Sequence, residues 1–313
     1  MNDLRAIALQ LCPFSPRLEA GLSARFDVIR WFALSEAEQA NWLAAQASGV
    51  QAVVTGGHIG CSNALMAALP LLGIIAIHGV GVDKVDLPFA RSRNVRVTTT
   101  PGVLTEDVAD LAVGLLIGLL RAIPASDAYV RAGSWEQGDR PLARKVSGRR
   151  FGIVGLGHIG AAIATRLAAF GPVAYTGPQR KDVPYVFHAD LLDLARASDV
   201  LVLACPANAS TRHIVNAAVL DALGEEGYLV NVARGAVVDE GALVAALAAG
   251  RLAGAALDVF ENEPHVPEAL RASARVVLTP HTASATVETR ARMADVVLEN
   301  LDAFRAGGLS PAQ

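Results

Sequence analysis

The sequence is poor in the residue types that several classes of protein require. Only 3 of its 313 residues are cysteines, Cys12, Cys61 and Cys205, and they are far apart, so the sequence encodes neither a disulfide framework nor a zinc cluster. Positive charge is not in excess, because 27 Lys and Arg residues stand against 30 Asp and Glu residues, giving a net charge of −3. That balance disfavours nucleic acid and anionic membranes as partners, since both attract concentrated positive charge.

Long hydrophobic runs are lacking as well. The longest nearly apolar run, from Leu111 to Leu120, is too short to span a bilayer. The first residues, Met1 to Arg5, carry an acid beside the base and no evident cleavage site, so secretion is not expected. With 52% hydrophobic and 18% charged residues, the chain is expected to be a soluble, cytoplasmic protein, and its length favours two domains.

Short apolar runs alternate with helical patterns along the chain. Strand-like runs occupy residues 50–54, 74–77, 95–97, 151–154, 173–175, 200–203, 228–232, 253–257 and 276–278. Between some of them, Ala, Leu and Arg recur at helical spacing, which predicts helices over residues 158–170, 240–249 and 286–304. Because the runs are apolar throughout, both faces of each strand should be buried. The pattern therefore predicts an α/β fold of parallel sheets covered by helices.

A glycine-rich turn follows the run at residues 151–154. Gly155, Gly157 and Gly160 form the spacing Gly-x-Gly-x-x-Gly between a predicted strand and a predicted helix, with His158 as a helix-start residue. The first glycine permits a tight turn, the second lets the backbone approach a pyrophosphate, and the third allows helix and strand to pack closely. Free N–H groups at the start of the helix favour an anionic ligand. The position of the turn therefore predicts a dinucleotide site.

The end of the next strand distinguishes the two nicotinamide cofactors. An NAD site carries Asp or Glu there, about 20 residues after the glycine turn, to accept a hydrogen bond from the ribose 2′-OH. This chain has no acid at that position, and Arg180 and Lys181 follow soon after Thr176. Two bases attract a 2′-phosphate that a carboxylate would repel, so the sequence favours NADP(H), with NAD(H) weaker. The alternative is that both bases only lie in a surface turn.

Three polar motifs follow later predicted strands. Arg234 comes after the run at 228–232, Glu263 follows the next run, and His281 follows the last. Ligands of open α/β sheets gather at the carboxyl ends of the strands, so these three side chains are expected to converge on one site. Taken singly, each has a structural alternative: an ion-pair partner for Arg234, a solvated loop acid for Glu263 and a helix cap for His281.

These motifs, in this order, resemble the D-isomer-specific 2-hydroxyacid dehydrogenase family. Further matching blocks are His78-Gly-Val-Gly-Val-Asp83 and Thr100-Pro-Gly-Val-Leu-Thr-Glu-Asp-Val-Ala-Asp110, and the resemblance runs from about residue 50 to about residue 290. Within the family the chain is most similar to the NADPH-dependent glyoxylate/hydroxypyruvate and hydroxyphenylpyruvate reductases. The basic residues after the second strand and the segment Ser134-Trp135-Glu136 carry that closer similarity.

The resemblance implies two doubly wound parallel-sheet domains, Rossmann and flavodoxin-like, with an active-site cleft between them that closes on the substrate. Residues 1–99 and 285–313 would form a discontinuous substrate-binding domain, and residues 100–284 an inserted dinucleotide-binding Rossmann domain. Family members are typically homodimers, formed through the cofactor domain and a long helix that here would begin near Thr105. The apolar run from Leu111 to Leu120 suits such a buried interface.

The resemblance also implies a reaction, the reduction of small 2-oxo acids such as glyoxylate and hydroxypyruvate to D-2-hydroxy acids. NADPH would deliver hydride to C2, and His281 would donate a proton to the carbonyl oxygen. Glu263 would orient the imidazole and favour its protonated form. Arg234 would polarise the carbonyl and bind the carboxylate through its planar guanidinium group.

Binding residues are implied by the same matching motifs. Val80 and Gly81 would supply backbone N–H groups to the substrate carboxylate, Gly57 would face the C3 end, and Trp135 would reach the substrate pocket of the other subunit. Cys205 is expected to pack against the adenosine rather than to act as a nucleophile. No metal is expected. The implied cofactor-binding residues are Gly155, Leu156, Gly157, His158, Ile159, Gly160, Thr176, Arg180, Lys181, Cys205, Pro206, Val232 and Asp258.

Other functions remain open on the residues alone. The substrate could instead be 2-ketogluconate, hydroxyphenylpyruvate or phosphite. A formate dehydrogenase is disfavoured because it has Gln in place of Glu263, and a phosphoglycerate dehydrogenase because it usually has the acid of an NAD site. A nucleotide-sensing corepressor, a binding protein of another class, shares the fold and keeps the Arg, Glu and His set. The low net charge and the absence of long flanking tails weigh against it.

Overall fold

The computed structural model describes residues 5–307. The chain divides into two compact units. The discontinuous unit combines the residues up to Leu104 with those from Ala285 onward, and the inserted unit comprises Thr105–Ser284. Each unit has its own parallel sheet and its own hydrophobic core.

Strands and helices alternate through both units. The strands are β1 (Ile7–Gln10), β2 (Asp27–Arg30), β3 (Val50–Gly56), β4 (Ile74–His78), β5 (Arg96–Thr98), β6 (Phe151–Val154), β7 (Val173–Thr176), β8 (Val186–Phe187), β9 (Val200–Leu203), β10 (Tyr228–Asn231), β11 (Gly254–Leu257) and β12 (Val276–Leu278). The α-helices are α1 (Pro16–Ser23), α2 (Glu36–Gln46), α3 (Asn63–Ala68), α4 (Leu87–Ser92), α5 (Thr105–Leu120), α6 (Ile123–Arg131), α7 (His158–Leu167), α8 (Leu191–Arg196), α9 (Ala217–Leu223), α10 (Glu240–Ala248), α11 (Glu268–Arg271) and α12 (Val287–Arg305).

The discontinuous unit is built on a five-stranded parallel sheet in the order β2-β1-β3-β4-β5. Side chains of β4 alternate between its two faces: Ile75 and Ile77 join one hydrophobic cluster, while Ile74 and Ala76 join another. Burial on both faces explains why this strand is apolar throughout, as is usual in parallel sheets covered by helices.

Helix α12 completes the core of the discontinuous unit, although it follows the whole inserted unit in the chain. Its residues Ala294, Val297 and Leu301 are buried in the same cluster as α1. At the surface, ion pairs join α12 to the first helix region, with Arg17 Nε 2.8 Å from Asp295 Oδ1. The last described helix therefore packs on the first sheet of the chain.

The inserted unit is built on a seven-stranded parallel sheet in the order β12-β11-β10-β9-β6-β7-β8. Strand β6 pairs with β7 on one side and with β9 on the other, so the chain extends the sheet first in one direction and then in the other. This reversal creates a crevice at the carboxyl ends of the strands, where open α/β sheets bind ligands. The loops that follow β6, β9, β10, β11 and β12 all begin at that edge.

The predicted fold class is confirmed, because both sheets are parallel and flanked by helices. Each predicted apolar run overlaps a strand, but β1, β2 and β8 were not predicted. Strand β2 is partly exposed and begins and ends with charged residues, and β8 has only two residues, so neither leaves an apolar run in the sequence. The helix predicted over 158–170 ends earlier, at Leu167.

Helix α5 carries the apolar run seen in the sequence and is largely buried within the inserted unit. In the part of the chain that the structure describes, no single helix is both long and apolar enough to cross a membrane. Helices α5 and α6, which are bent by 60° relative to each other, satisfy the length and composition criteria only as a pair.

Candidate active site

The glycine turn joins β6 to α7 beside the point where the strand order reverses. A Cβ atom on Gly155 would lie 2.7 Å from Cα of Cys205, and one on Gly160 would lie 2.0 Å from the carbonyl oxygen of Gly155, so neither position accommodates a side chain. At Gly157, nothing lies within 4 Å of such an atom. The turn is closely packed on either side of an open helix start, and this shape fits the pyrophosphate of a dinucleotide.

The turn after β7 is held against the glycine turn. The Tyr175 hydroxyl accepts a hydrogen bond from the Lys181 N–H (2.6 Å), and the Lys181 ammonium donates to the carbonyl oxygen of Leu156 (2.5 Å). The Thr176 carbonyl oxygen accepts from the N–H of Gly155 (3.0 Å). Arg180 and Lys181 are both exposed at this edge. The structure thus places the Lys181 ammonium beside the glycine turn, with Arg180 as its exposed neighbour in the chain and no carboxylate among residues 176–181.

Other predicted cofactor residues follow β9 and β10. Cys205 is buried, and burial raises the pKa of its thiol to about 11, so it remains protonated and poorly nucleophilic. The carbonyl oxygen of Pro206 accepts from the Thr211 hydroxyl (2.7 Å). Val232 is buried directly after β10. The burial of Cys205 agrees with a role in packing rather than with a role as a nucleophile.

Arg234 is positioned by a buried asparagine at the end of β10. The Asn231 side-chain amide donates to the carbonyl oxygen of Arg234 (3.0 Å), and its Oδ1 accepts from the N–H of Ala233 (3.0 Å). The next residue, Gly235, packs on the loop after β11, since a Cβ atom there would lie 1.9 Å from the carbonyl carbon of Phe260. The loops that follow β10 and β11 are therefore in direct backbone contact.

Glu263 and His281 form the central pair of the candidate site. Glu263 Oε2 lies 2.7 Å from His281 Nδ1, and Glu263 Oε1 accepts from the N–H of Phe260 (3.0 Å). Burial opposes ionisation of the carboxyl group, but the hydrogen bonds from His281 and Phe260 and the nearby charge of Arg234 hold the pKa of Glu263 below its usual value. An ionised carboxylate therefore faces the imidazole near neutral pH.

The turn that carries His281 is organised by Asp258, which is fully buried after β11. Asp258 Oδ1 accepts from the Thr279 hydroxyl (2.6 Å) and the Thr282 N–H (2.8 Å). The N–H of His281 donates to the Asp258 carbonyl oxygen (2.8 Å). His281 itself adopts a φ of 52°, which is uncommon for a non-glycine residue and is often found at functional sites. Asp258 thus fixes the backbone from which the imidazole projects.

The predicted substrate-binding residues of the discontinuous unit lie in two loops at the carboxyl ends of β3 and β4. A Cβ atom on Gly57 would lie 3.0 Å from the carbonyl oxygen of Gly81, so the two loops pack closely. Gly79 has a φ of 153°, and its carbonyl oxygen accepts from the N–H of Thr100 (2.8 Å). Val80, between Gly79 and Gly81 in the loop after β4, is exposed.

Trp135 lies elsewhere, in a short 3-10 turn of the inserted unit, Ser134–Gln137. It is 65% exposed. Ile123, Val130 and Leu142, in the same stretch of chain, are exposed as well. Four large, exposed apolar side chains therefore lie between residues 123 and 142 of the chain.

Comparison with known proteins agrees with the geometry of the site. Residues 113–283 match the D-isomer specific 2-hydroxyacid dehydrogenase, NAD binding domain. The chain is 48% identical over 301 residues to hydroxyphenylpyruvate reductase of Plectranthus scutellarioides, covering 96% of each chain, and it matches glyoxylate/hydroxypyruvate reductase A of Arabidopsis thaliana with the same identity and coverage. The chain belongs to the D-isomer specific 2-hydroxyacid dehydrogenase family.

A solved structure of a related 2-hydroxyacid dehydrogenase fold matches over nearly the whole chain. It is the NADPH-dependent glyoxylate/hydroxypyruvate reductase of Sinorhizobium meliloti in complex with NADP and malonate, with a TM-score of 0.90, 42% identity, and coverage of 98% of this chain and 97% of that chain. The family resemblance predicted from the motifs is confirmed. Together these relatives support an NAD(P)(H) cofactor and the reduction of 2-oxo acids by this 2-hydroxyacid dehydrogenase.

Within this 2-hydroxyacid dehydrogenase, the structure brings together residues from the three late motifs. His281 is hydrogen-bonded to Glu263, and the charge of Arg234 acts on the same carboxylate. Asn231, Thr279 and Thr282 were not predicted to have a role, although they stand in the same motifs. In the sequence they are simply polar residues next to a strand end. Sequence alone does not distinguish such residues from ordinary loop residues.

Proposed function

We propose that the chain catalyses the NADPH-dependent reduction of glyoxylate and hydroxypyruvate to D-2-hydroxy acids. The observation that most supports this reaction is the 2.7 Å hydrogen bond between Glu263 and His281, in the same unit as the glycine turn. A carboxylate at Nδ1 fixes the orientation of an imidazole and favours its protonated form, as a proton donor requires.

The proton is supplied by His281 in this proposal. Bound NADPH supplies the hydride that reaches C2 of the oxo acid. His281 gives its proton to the carbonyl oxygen as the negative charge develops there, and a positioned general acid of this kind contributes about 10²–10⁴-fold to the rate. Glu263, with its lowered pKa, keeps its negative charge near neutral pH and so holds the imidazole ready.

The substrate is bound by guanidinium and backbone groups. Arg234 offers a planar pair of donors that suits both the carboxylate and the adjacent carbonyl oxygen. In the discontinuous unit, the N–H groups of Val80 and Gly81 bind the carboxylate, and Gly57 lies towards the C3 end. Asn231 supports Arg234 by holding its backbone carbonyl group.

The preference for NADPH follows from Arg180 and Lys181. Both lie in the turn after β7, where the Tyr175 hydroxyl and the Leu156 carbonyl group hold Lys181. A charge-assisted hydrogen bond contributes about 1.5–3 kcal/mol, enough to favour a 2′-phosphate by one to two decades. The adenosine and the nicotinamide would lie against the remaining predicted residues, among them Cys205, Pro206, Val232 and Asp258.

Domain roles and assembly complete the proposal. Residues 1–99 and 285–313 bind the substrate, residues 100–284 bind the dinucleotide, and two chains form a homodimer. The exposed side chains of Ile123, Val130 and Leu142 support an interface, because monomers rarely expose large apolar patches. Trp135 would line the pocket of the other subunit, and unchanged kcat/KM for hydroxypyruvate in a Trp135→Ala variant would remove that role.

The test is oxidation of NADPH and of NADH with glyoxylate, hydroxypyruvate, 4-hydroxyphenylpyruvate and 2-ketogluconate. We expect turnover with the two small acids and a kcat/KM for NADPH at least about tenfold above that for NADH. Arg180→Gln should reduce this preference, whereas Arg271→Gln, an exposed arginine on α11, should not. A higher kcat/KM with NADH contradicts the cofactor assignment. Tight cofactor binding without turnover favours a sensor.

A further inference from the structure

Glu261 lies two residues before Glu263 and stands at the meeting point of three loops. Its Oε1 accepts hydrogen bonds from Arg212 Nη2 (2.9 Å) and from His213 Nε2 (2.8 Å), both in the loop after β9. Its backbone N–H donates to Oε2 of Glu240 (3.3 Å), at the start of α10. One residue of the loop after β11 is thus attached to the loops after β9 and β10.

The three loops also contact one another through their backbones. The N–H of His213 donates to the carbonyl oxygen of Ala236 (2.8 Å), and the N–H of Val215 donates to that of Val237 (3.1 Å). A Cβ atom on Gly235 would lie 2.3 Å from the backbone nitrogen of Glu261. The segment that follows Arg234 is therefore held between the loop of His213 and the loop of Glu261.

The attachment of Glu261 reaches the carboxylate of the candidate pair through one short stretch of backbone. The residue before Glu261, Phe260, donates its N–H to Glu263 Oε1 (3.0 Å), and Glu263 Oε2 contacts His281. Movement of Glu261 would displace the N–H of Phe260 and the backbone of Glu263 together. The ion pair with Arg212 has one well-shielded member, since the side chain of Glu261 is only 22% exposed, against 59% for Arg212.

We propose that Glu261 is a positioning residue for the reduction, tying the loop of Glu263 to the loops of Arg212 and Arg234. The inference rests on the proposed roles of Glu263 and His281. Glu261 touches neither substrate nor cofactor in this proposal, and it acts by keeping the carboxylate of Glu263 aligned with the imidazole. A misplacement of about 1 Å in such a pair can lower a rate by about 10²-fold.

The donors around Glu261 explain why a hydrogen-bond acceptor is needed at this position. Arg212 and His213 both direct donors at the same oxygen atom, whereas Glu240 accepts a hydrogen bond from the backbone N–H of Glu261. Burial raises the pKa of Glu240; the hydrogen bond from the Glu261 N–H and the charge of His265 oppose this rise, and the negative charge of Glu261 adds to it. An alanine at 261 would leave Arg212 and His213 without their common acceptor and release the loop.

Two sets of variants remove the same contact from opposite sides. Glu261→Ala removes the acceptor, and the double variant Arg212→Met/His213→Phe removes both donors while keeping Glu261. We expect kcat for glyoxylate to fall about tenfold in each, with KM for NADPH changed less than about threefold. Glu261→Gln keeps an acceptor oxygen and should recover most of the activity. Glu268→Ala, which removes an exposed acid and its pair with Arg271, is the matched control and should retain full activity.

The pH profile separates positioning from a general loss of stability. If the loop is released, the hydrogen bonds that lower the pKa of Glu263 weaken, so the acid limb of kcat/KM should move to higher pH. Loss of stability alone, followed as Tm, would leave the limb in place. Full kcat in either folded variant, Glu261→Ala or the double variant, overturns the inference, as does a limb that does not move.

Glu263→Gln distinguishes failure of this inference from failure of the proposed function. If Glu263→Gln leaves kcat unchanged, the proposed pair is wrong, and the inference about Glu261 fails with it. If Glu263→Gln lowers kcat by about 10²-fold or more while Glu261→Ala has no effect, the proposed function stands and only the positioning role is wrong. Loss of activity in both, with recovery in Glu261→Gln, is the expected result.

Discussion

At the scale of single residues, His78 shows how burial controls a titratable group in the discontinuous unit. It ends β4 with only 8% of its surface exposed, and its Nδ1 lies 3.4 Å from Nη1 of Arg290. Burial, assisted by the positive charge of Arg290, lowers the pKa of His78 to about 4. The folded chain therefore keeps this imidazole neutral under conditions in which an unfolded chain would protonate it.

The depressed pKa of His78 predicts a loss of stability in mild acid. Between about pH 6.5 and about pH 4 the unfolded chain binds a proton at His78 and the folded chain does not, so stability falls as the pH falls through this window. The group contributes about 3 kcal/mol to that fall. In urea unfolding across this pH range, His78→Gln should show a shallower pH dependence than the wild type. His265→Gln, at an exposed position, is the control, and equal slopes in wild type and His78→Gln would contradict the prediction.

Residue-level prediction from sequence relied on polar side chains that follow successive strand ends. Glu263 and His281 were expected to converge, and they are hydrogen-bonded. Asn231 and Glu261 were not singled out, because their partners are backbone groups or side chains of other loops. Such contacts depend on how three loops meet at one sheet edge, and a single sequence contains no record of those distances.

At the scale of secondary structure, apolar runs predicted most strands, including the edge strands β5 and β12, but missed β1 and the edge strands β2 and β8. Strands β6 and β9 coincide with their predicted runs, since every residue in them is buried. Strand β2 is an edge strand with exposed charged ends, and its burial comes from pairing with β1 rather than from its own composition. Hydrophobic pattern reports burial, so an element stabilised mainly by backbone pairing escapes it.

The contact between the loops after β10 and β11 predicts a sharp difference between two glycines. In Gly235→Ala the new Cβ atom would overlap the backbone of Phe260, so the loops of Arg234 and Glu263 must separate. We expect a loss of about 2–3 kcal/mol of stability from overpacking and a fall in kcat/KM of about 10²-fold. Gly241→Ala, in α10, meets nothing closer than 3.4 Å and should retain activity and gain up to about 1 kcal/mol. Equal activity of the two variants would contradict this account.

At the scale of the whole molecule, each unit has its own hydrophobic core, and the groups proposed to carry the proton transfer lie in one unit. The glycine turn, Arg234, Glu263 and His281 all belong to the inserted unit, whose core includes one large hydrophobic cluster. The discontinuous unit has hydrophobic clusters on both faces of its own sheet. The resemblance to a known family, rather than hydrophobic pattern, implied that the chain returns to its first sheet at the end, because pattern does not show which sheet a helix covers.

Separate cores predict that the cofactor protects one unit more than the other. A ligand stabilises the structure to which it binds, by about 2.7 kcal/mol at a concentration 100 times its Kd. In hydrogen exchange with saturating NADP, amides of β6 and the glycine turn should exchange more slowly, whereas those of β3 should change little. The protein without cofactor is the reference. Equal protection of β3 and β6 would contradict independent cores.

The return of α12 to the first sheet has a consequence for synthesis on the ribosome. Ala294, Val297 and Leu301 cover one face of the first sheet, and they are translated only after all of Thr105–Ser284. The unit that begins first along the messenger is therefore the last to be finished, while the unit between can complete its core as it emerges. Until α12 is made, the nascent chain exposes the apolar face of β3 and β4, and that interval is when this protein most needs protection from aggregation.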